Sequence, residues 1–519
     1  MGVARALTTV TVVVLTGVAA LSAGVSPARA ETGPPAEPGV PAGFRVAGRT
    51  SVTAGVERLD LVRDKPPLSV HVARIAPDAP VSLRAVLSND QVAGPGPNGE
   101  RTSSMCQRVH CLVAVNGDFA GGDGGPLGGL LTGGELLRSP GPSELQLSVG
   151  DDGTLSAGEL SWSGTLVPTD LEPLTLAGVN VAAAADGVTL YTPAYGPTAA
   201  APAAATTVLT FRTVEPAGAV RVRQTTMVEI TGLTEQLAGS AAEAIPADGG
   251  VLAGRGTAAD ALRSLWARMQ SGQVSSRALV RLDTRAGVAE SLGGGPMLIK
   301  SGARWFADAA DDFTRGRQPR TLVGWNAAGE EWLVTVDGRQ PDASVGMTLA
   351  EAADFLLALG ATDGLNLDGG GSTTFVDDGA VVNTPSDVAV RRSGGDVIEH
   401  LAAPGQPVVG HVERPVTSAL AVVPKNEVSV PPLPAETGGV PGVGQALSPA
   451  AGAGPGTDPG SVPGGGVPAL VVPSGSGFGG VLRLAAVLSD LVVAFALAAM
   501  ALRRRRRRAG PSAARALPA

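Results

Sequence analysis

From about residue 43 to 425 the chain is built of short runs in which apolar and polar residues alternate. Each run is broken by Gly, Pro, Asn or Asp. A two-residue period marks half-buried strands. It predicts strands at 68–75, 81–87, 112–115, 220–230 and 332–336, and a short one at 364–367. Helical periodicity is rare. One helix is predicted at 257–269. A second, at 347–359, has apolar residues at Leu349, Ala352, Ala353, Leu356 and Leu357. Thr348 and Glu351 form its capping box, and Gly360 is its stop. The pattern predicts an α+β fold: a large mixed β-sheet domain with few helices over 53–425, carrying a β-rich insertion around 145–245.

The ends of the chain follow other rules. Residues 1–30 have the form of a secretory signal: Arg5, an apolar stretch over 7–21, and Ala28-Arg29-Ala30 as the cleavage site. Residues 31–52 read as a linker. The segment 426–480 is rich in Pro, Gly, Ser and Val with almost no charge, the composition of a stalk. Residues 481–502 would span roughly 33 Å as a helix, enough to cross a bilayer. Asp490 near mid-span opposes insertion. Six arginines at 503–508 follow directly and would hold the tail 503–519 in the cytoplasm. The expectation is an exported, single-pass cell-membrane protein, anchored by its C-terminal helix, with its N-terminal domain outside.

Composition narrows the function. Gly 72 and Pro 41 in 519 residues exclude a coiled coil or helical repeat. Aromatics at 3% and a net charge of −8 argue against a nucleic-acid partner. The two cysteines, Cys106 and Cys111, predict a local disulfide in an exported chain. His110 between them leaves a Cys/His nucleophile as an alternative. Neither G-x-S-x-G nor H-E-x-x-H occurs, which excludes hydrolases of those two kinds. The G-x-G-x-x-G at 94–99 contains two prolines and is a loop rather than a dinucleotide site.

The chemistry gathers around the capped helix. Strand 332–336 ends in Asp337-Gly338-Arg339, and strand 364–367 ends in Asp368-Gly369-Gly370-Gly371-Ser372-Thr373. A strand–helix–strand crossover makes its two strands parallel, so both aspartates emerge at the same sheet edge. If those strands are neighbours, about 4.8 Å separates them and one substrate can meet both carboxylates. Three successive glycines let backbone N–H groups approach an anion. The plain alternative is that both Asp-Gly pairs are turn dipeptides.

A chain of blocks resembles the phosphodiester glycosidase family. The blocks are Val115-Asn116-Gly117-Asp118-Phe119, Leu292-Gly293-Gly294-Gly295-Pro296, Pro319-Arg320-Thr321, Val336-Asp337-Gly338-Arg339, Asn366 through Thr373, Pro385-Ser386-Asp387 and Arg414-Pro415-Val416. The resemblance covers roughly 53–424. It implies a hydrolase that cleaves the anomeric C–O bond of a sugar-1-phosphodiester in a glycan or phosphoglycan. On that reading Arg320 and the Gly369, Gly370, Gly371, Ser372 and Thr373 loop contact phosphate, helped by Arg339 or Lys300. Asp368 and Asp337 serve as nucleophile, base or oxocarbenium stabiliser. Asn116 and Asp118 bind sugar hydroxyls, and Asn366 belongs to the same substrate-binding set. Arginine suits the phosphate by its permanent charge and bidentate geometry. The chain departs from the family at Ala120, where a second aromatic is usual, and in an insertion at 388–410. No cofactor is firmly implied, and a structural calcium among the loop carboxylates is left open. Two rival classes remain: a non-catalytic glycan-binding or scaffold protein on the same fold, and a metal-dependent phosphodiesterase.

Overall fold

A computed structural model describes residues 39–93, 99–307, 309–391, 397–400 and 408–425, with the side chains of 391, 397–400 and 408 left aside. The predicted signal at 1–30, the stalk at 426–480, the helix at 481–502 and the tail at 503–519 lie outside these residues, as does most of the 94–99 loop. Among the described residues no helix is long and apolar enough to cross a membrane.

The alternating runs form strands where the period predicts them. Leu68–Ile75 and Val81–Leu87 match residue for residue, Glu331–Val336 differs by one position at one end, and Val113–Asn116 and Asp363–Asn366 are each shifted by one position. The strand expected at 220–230 is Gln224–Gln236. Residues 45–52, expected in a linker, belong instead to the strand Arg45–Thr53, paired with Val56–Arg63. These two open an eight-stranded sheet. It continues through Leu68–Ile75, Glu331–Val336, Arg320–Trp325, Asp363–Asn366, Met297–Lys300 and Ala303–Arg304.

Every pairing in that sheet is antiparallel, so the mixed sheet expected from the crossover is not found there. Glu331–Val336 and Asp363–Asn366 do run parallel, but Arg320–Trp325 lies between them and pairs with both. The reason is local. Arg320–Trp325 and Glu331–Val336 form a hairpin whose turn is tied by Asn326 Oδ1, which accepts from the Ala328 and Glu330 N–H groups, with Gly329 at φ +84. The hairpin takes the place the crossover strand would have occupied.

The helix Leu349–Leu359 packs on one face of the sheet. Both arms of its capping box are formed, and Gly360 ends it at φ 103. Leu349, Ala352, Phe355 and Leu356 meet Leu322, Trp332 and Val334. On the opposite face Val323, Leu333 and Leu365 pack against Val113, Val115, Phe375 and Leu420. Those belong to a five-stranded sheet of Ala380–Val381, Phe375–Asp377, Val113–Asn116, Ser418–Pro424 and Val81–Leu87. The site lies where these two layers end together.

The β-rich insertion is larger than expected and closes on itself. Seven strands between Trp162 and Thr284 form a closed barrel, completed when Arg277–Thr284 pairs with Trp162–Pro168. The helix Thr257–Gln270 turns Ala258, Leu262 and Leu265 into its core. The segment 145–245 stops short because it omits both that helix and the closing strand. A separate five-stranded sheet contains Gln146–Gly150 and Val288–Gly293.

Cys106 and Cys111 form a disulfide at the end of the short helix Thr102–Arg108. The bond consumes both thiols, which overturns the alternative of a Cys/His nucleophile at His110.

Candidate active site

Asp368 follows Asp363–Asn366 and is half-buried. Its N–H donates to the Gly117 carbonyl at 3.0 Å, and its own carbonyl accepts from Asn116 Nδ2 at 2.7 Å. Asn116 is wholly buried, and its Oδ1 accepts from Thr321 Oγ1 at 2.6 Å and the Thr374 N–H at 3.2 Å. Its carboxamide therefore fastens the two sheets to the glycine loop from inside. A contact with sugar hydroxyls, implied by the resemblance, would have to displace those bonds.

The glycines act differently from an anion cradle. The Gly369 N–H donates to Asp368 Oδ1, Gly370 to the Pro319 carbonyl, Ser372 to Gly369 and Thr373 to Gly370. Four of the five amides in the loop are thus already paired. What the glycines permit is close approach by cations. A Cβ on Gly370 would stand 2.9 Å from Arg339 Nη2, and one on Gly371 would overlap the Arg414 guanidinium and the Asp387 carboxylate. Gly370 also sits at φ +65, where a side chain is strained. Ser372 and Thr373 are buried beneath the loop.

Two arginines therefore face the loop. Arg339 donates from Nε to Gln318 Oε1 at 3.0 Å, and burial followed by repulsion from Arg414 lowers its proton affinity. Arg414 makes a bidentate pair with Asp387, at 2.7 and 3.1 Å. That pair joins the two ends of the insertion. Its strands Val388–Arg391, Val397–His400 and Val408–His411 form a separate small sheet that departs after Asp387 and returns before Arg414. The ion pair closes its base. Asp387 and Arg414 were absent from the predicted site, although the blocks flanking the insertion were the signal that could have revealed them.

Other predicted residues lie elsewhere. Asp337 shares the sheet edge of Asp368 but is two strand spacings away, about 10 Å. It is 3% exposed and accepts from Asn383 Nδ2 at 3.0 Å and the Thr384 N–H at 3.1 Å. His71 Nε2 lies 3.6 Å from it, and His71 Nδ1 bonds Asp60 at 2.8 Å. Burial pulls the His71 proton affinity down, but Asp337 and Asp60 outweigh it and raise the pKa to about 9. The expectation that one substrate meets both carboxylates across a single strand spacing is corrected by the intervening hairpin.

Arg320, expected at the phosphate, is 2% exposed. It donates from Nε to Met347 O at 3.0 Å and from Nη2 to Phe313 O at 2.7 Å and Gly316 O at 3.0 Å. Burial, with Arg339 second, brings its pKa down to about 10. It shares the helix-facing side of the strand with Leu322, which turns it inward. Lys300 is at the far end of its strand, because Ile299 pairs with Gly364 and Met297 with Leu365. Its ammonium sits 4.7 Å from the Trp305 ring centre, away from Asp368. Asn366 is buried, with Nδ2 donating to Gly295 O and Leu367 O.

The carboxyl group that accompanies Asp368 is Asp118. It is 3% exposed and accepts from the Phe119 N–H at 2.8 Å and the Gly128 N–H at 2.6 Å. Burial raises its pKa to about 7. The two amides oppose that rise, and repulsion from Asp368 and Glu144 adds to it. The Phe119 ring lies 6.2 Å from that of Phe313, so an aromatic from another segment stands beside Phe119 where Ala120 supplies none. Among the described residues no three His, Cys, Asp or Glu side chains converge as metal ligands. A cavity of about 580 Å³ lined by Thr50, Arg58 and Asp377 opens at the other end of the second sheet and shares no predicted residue.

Residues 224–399 match the family model of the phosphodiester glycosidases. Over 119 residues the chain is 33% identical to N-acetylglucosamine-1-phosphodiester alpha-N-acetylglucosaminidase of Bos taurus, covering 20% of this chain and 22% of that protein. The Homo sapiens protein of the same name is 33% identical over 119 residues, covering 20% and 23%. The chain thus spans about a fifth of the length of the curated relatives it matches. A solved structure of a hypothetical protein from Synechocystis superposes with a TM-score of 0.51 at 22% identity, covering 72% of this chain and 63% of that one, which shows a shared fold. The matched segment holds Arg320, Asp337, Arg339, Asp368 with its glycine loop, and Asp387, and through it the chain is similar to the phosphodiester glycosidase family.

Proposed function

We propose that this protein hydrolyses a sugar-1-phosphodiester, breaking the C–O bond at the anomeric carbon. The observation that carries the reading is the half-buried Asp368 beside a glycine loop closed over by Arg339 and Arg414. The leaving phosphomonoester is an anion already, so it needs charge stabilisation more than a proton. Two guanidinium groups meet that need. Asp368 faces the anomeric carbon and stabilises the positive charge developing on the sugar ring. Asp118, with a pKa of about 7, takes the proton of the incoming water near neutral pH. Asn116, Arg320 and Asp337 hold the loop and the sheet edge in place. The relatives' printed name makes N-acetylglucosamine-1-phosphodiesters the first substrates to try. The signal, stalk and apolar 481–502 segment read from the sequence support action at the cell surface.

The test is release of free reducing sugar from a panel of sugar-1-phosphodiesters. Wild type releases sugar; Asp368→Asn loses at least ~10³-fold in kcat with unfolding unchanged. Full activity in that variant removes Asp368 from the mechanism. In ¹⁸O-labelled water the label enters the sugar, and label in phosphate would mean a phosphodiesterase instead. Glycan binding without any released sugar would favour the non-catalytic class.

A further inference from the structure

Gln146 opens the strand Gln146–Gly150 and pairs in register with Gly293. It is wholly buried, yet neither its Oε1 nor its Nε2 has a hydrogen-bond partner among the described residues. Such a group costs about 1–3 kcal/mol when it stays unpaired, and buried polar groups are nearly always satisfied, by water where not by protein. The surroundings of Gln146 indicate which. A Cβ on Gly128 would stand 2.8 Å from Gln146 Nε2 and 3.2 Å from Asp118 Oδ2. A Cβ on Gly293 would run into the Asp118 carboxyl group. The same Cβ on Gly128 would stand 2.8 Å from Gly293 Cα, so the two glycines let their backbones, the amide and the carboxyl group pack close together. Lying 2.8 Å and 3.2 Å from that one Cβ position, Nε2 and Oδ2 are at most about 6 Å apart, and two hydrogen bonds of about 2.8 Å each reach about that far through one water. That water would have two polar partners at hand, the Gln146 carboxamide and the Asp118 carboxyl group, at the low end of the usual two to four.

We infer that Gln146 and Asp118 share one ordered, buried water beside the Gly128–Gly293 contact, and that Gln146 is thereby a positioning residue for Asp118. Its catalytic meaning rests on the proposed function; the water and the titration of Asp118 do not. The groups facing Asp118 are the Asp368 and Glu144 carboxylates, which repel its charge, and the Phe119 and Gly128 amides, which favour it. Gln146 adds a neutral partner that can both donate and accept, so the shared water can turn to suit either protonation state. Without the amide, the carboxylate is solvated less and its proton is held more tightly.

The experiment uses the full-length protein with Gln146→Met, which keeps the side chain's bulk and removes its hydrogen bonds. Carboxyl titration, followed by infrared difference spectroscopy and assigned by its loss in Asp118→Asn, is expected to move up by about one pH unit. With a sugar-1-phosphodiester, the acid limb of kcat against pH moves by the same amount, KM stays within twofold, and activity returns at higher pH. A merely structural role would lower kcat equally at every pH. An unmoved titration in Gln146→Met overturns the inference. If that variant does not fold, a high-resolution crystal structure of the wild type decides: a water bonded to both Gln146 and Asp118 supports it, and a carboxamide bonded elsewhere overturns it. If wild type cleaves no phosphodiester, the proposed function fails while the titration and the water still give their answer.

Discussion

The barrel and the sheet sandwich are made of the same alternating strands, but they treat charge differently. Among the described residues, the buried charged side chains, including Asp118, Arg320, Asp337 and Asp387, all lie outside the barrel's span of Trp162 to Thr284. The barrel core is Leu166, Leu190, Phe211, Leu252 and Val280 around Leu262 and Leu265 of its helix. Removing an ion from water costs several kcal/mol even in a relaxed protein, so a structure built only for stability avoids it. A closed barrel has paired edges and no open row of strand ends to display polar groups. The sandwich ends in such a row, and the loop, the arginines and both acidic groups stand on it. On the proposed function the barrel is scaffold, and chemistry belongs to the open rim. The sharpest way to break this contrast is Leu262→Ala, which empties the barrel core. It should cost about 2–5 kcal/mol in denaturant unfolding while kcat of the folded protein is unchanged. A fall in kcat at temperatures where the variant is fully folded would make the barrel part of the site.

Charge buried at the rim should make its stability depend on pH, unlike the barrel. His71 sits between Asp60 and Asp337, and its folded pKa is about 9 against 6.5 for the free side chain. A raised histidine contributes stability that is fully present below about pH 6.5 and is lost as pH rises through about 9. The expected loss over that window is of order 3 kcal/mol. His71→Gln should flatten this part of the stability–pH curve, measured by unfolding between pH 6 and 10. The same slope in wild type and variant would show that the histidine is not the source.

How far the sequence disclosed these regions depended on the range of the interactions involved. Leu68–Ile75, the capped helix and the Asp368 loop were legible because alternation, a capping box and a glycine triplet are local signals. Asp337 was correctly assigned to the edge of Asp368 but wrongly to its neighbourhood, since the Arg320–Trp325 hairpin that separates them is settled by strand pairing. Arg320 looked like a phosphate ligand because its charge is visible and its inward-facing position on the strand is not. Asp387 and Arg414 meet only after an insertion of another sheet, and Gln146 and Asp118 come near the same glycine, Gly128, only through strand pairing. Nothing within a few residues of any of them records those encounters.

The smallest expected effect sharpens the contrast most, because it separates distance from stability. Thr348 Oγ1 accepts the Glu351 N–H at 3.1 Å, and Glu351 Oε2 accepts the Thr348 N–H at 3.0 Å. Thr348→Ala should cost about 1 kcal/mol. The preceding residue, Met347, gives its carbonyl to Arg320 Nε and pairs through both backbone groups with Gln318, whose side chain accepts from Arg339. A frayed cap therefore loosens the support of a guanidinium at the loop, and kcat should fall about two- to threefold, a barrier change of under about 1 kcal/mol. A conservative barrel substitution chosen to cost the same 1 kcal/mol, such as Val280→Ala with its loss read by unfolding, should leave kcat alone. Equal responses in the two variants would mean that activity tracks global stability, and the division between scaffold and rim would dissolve.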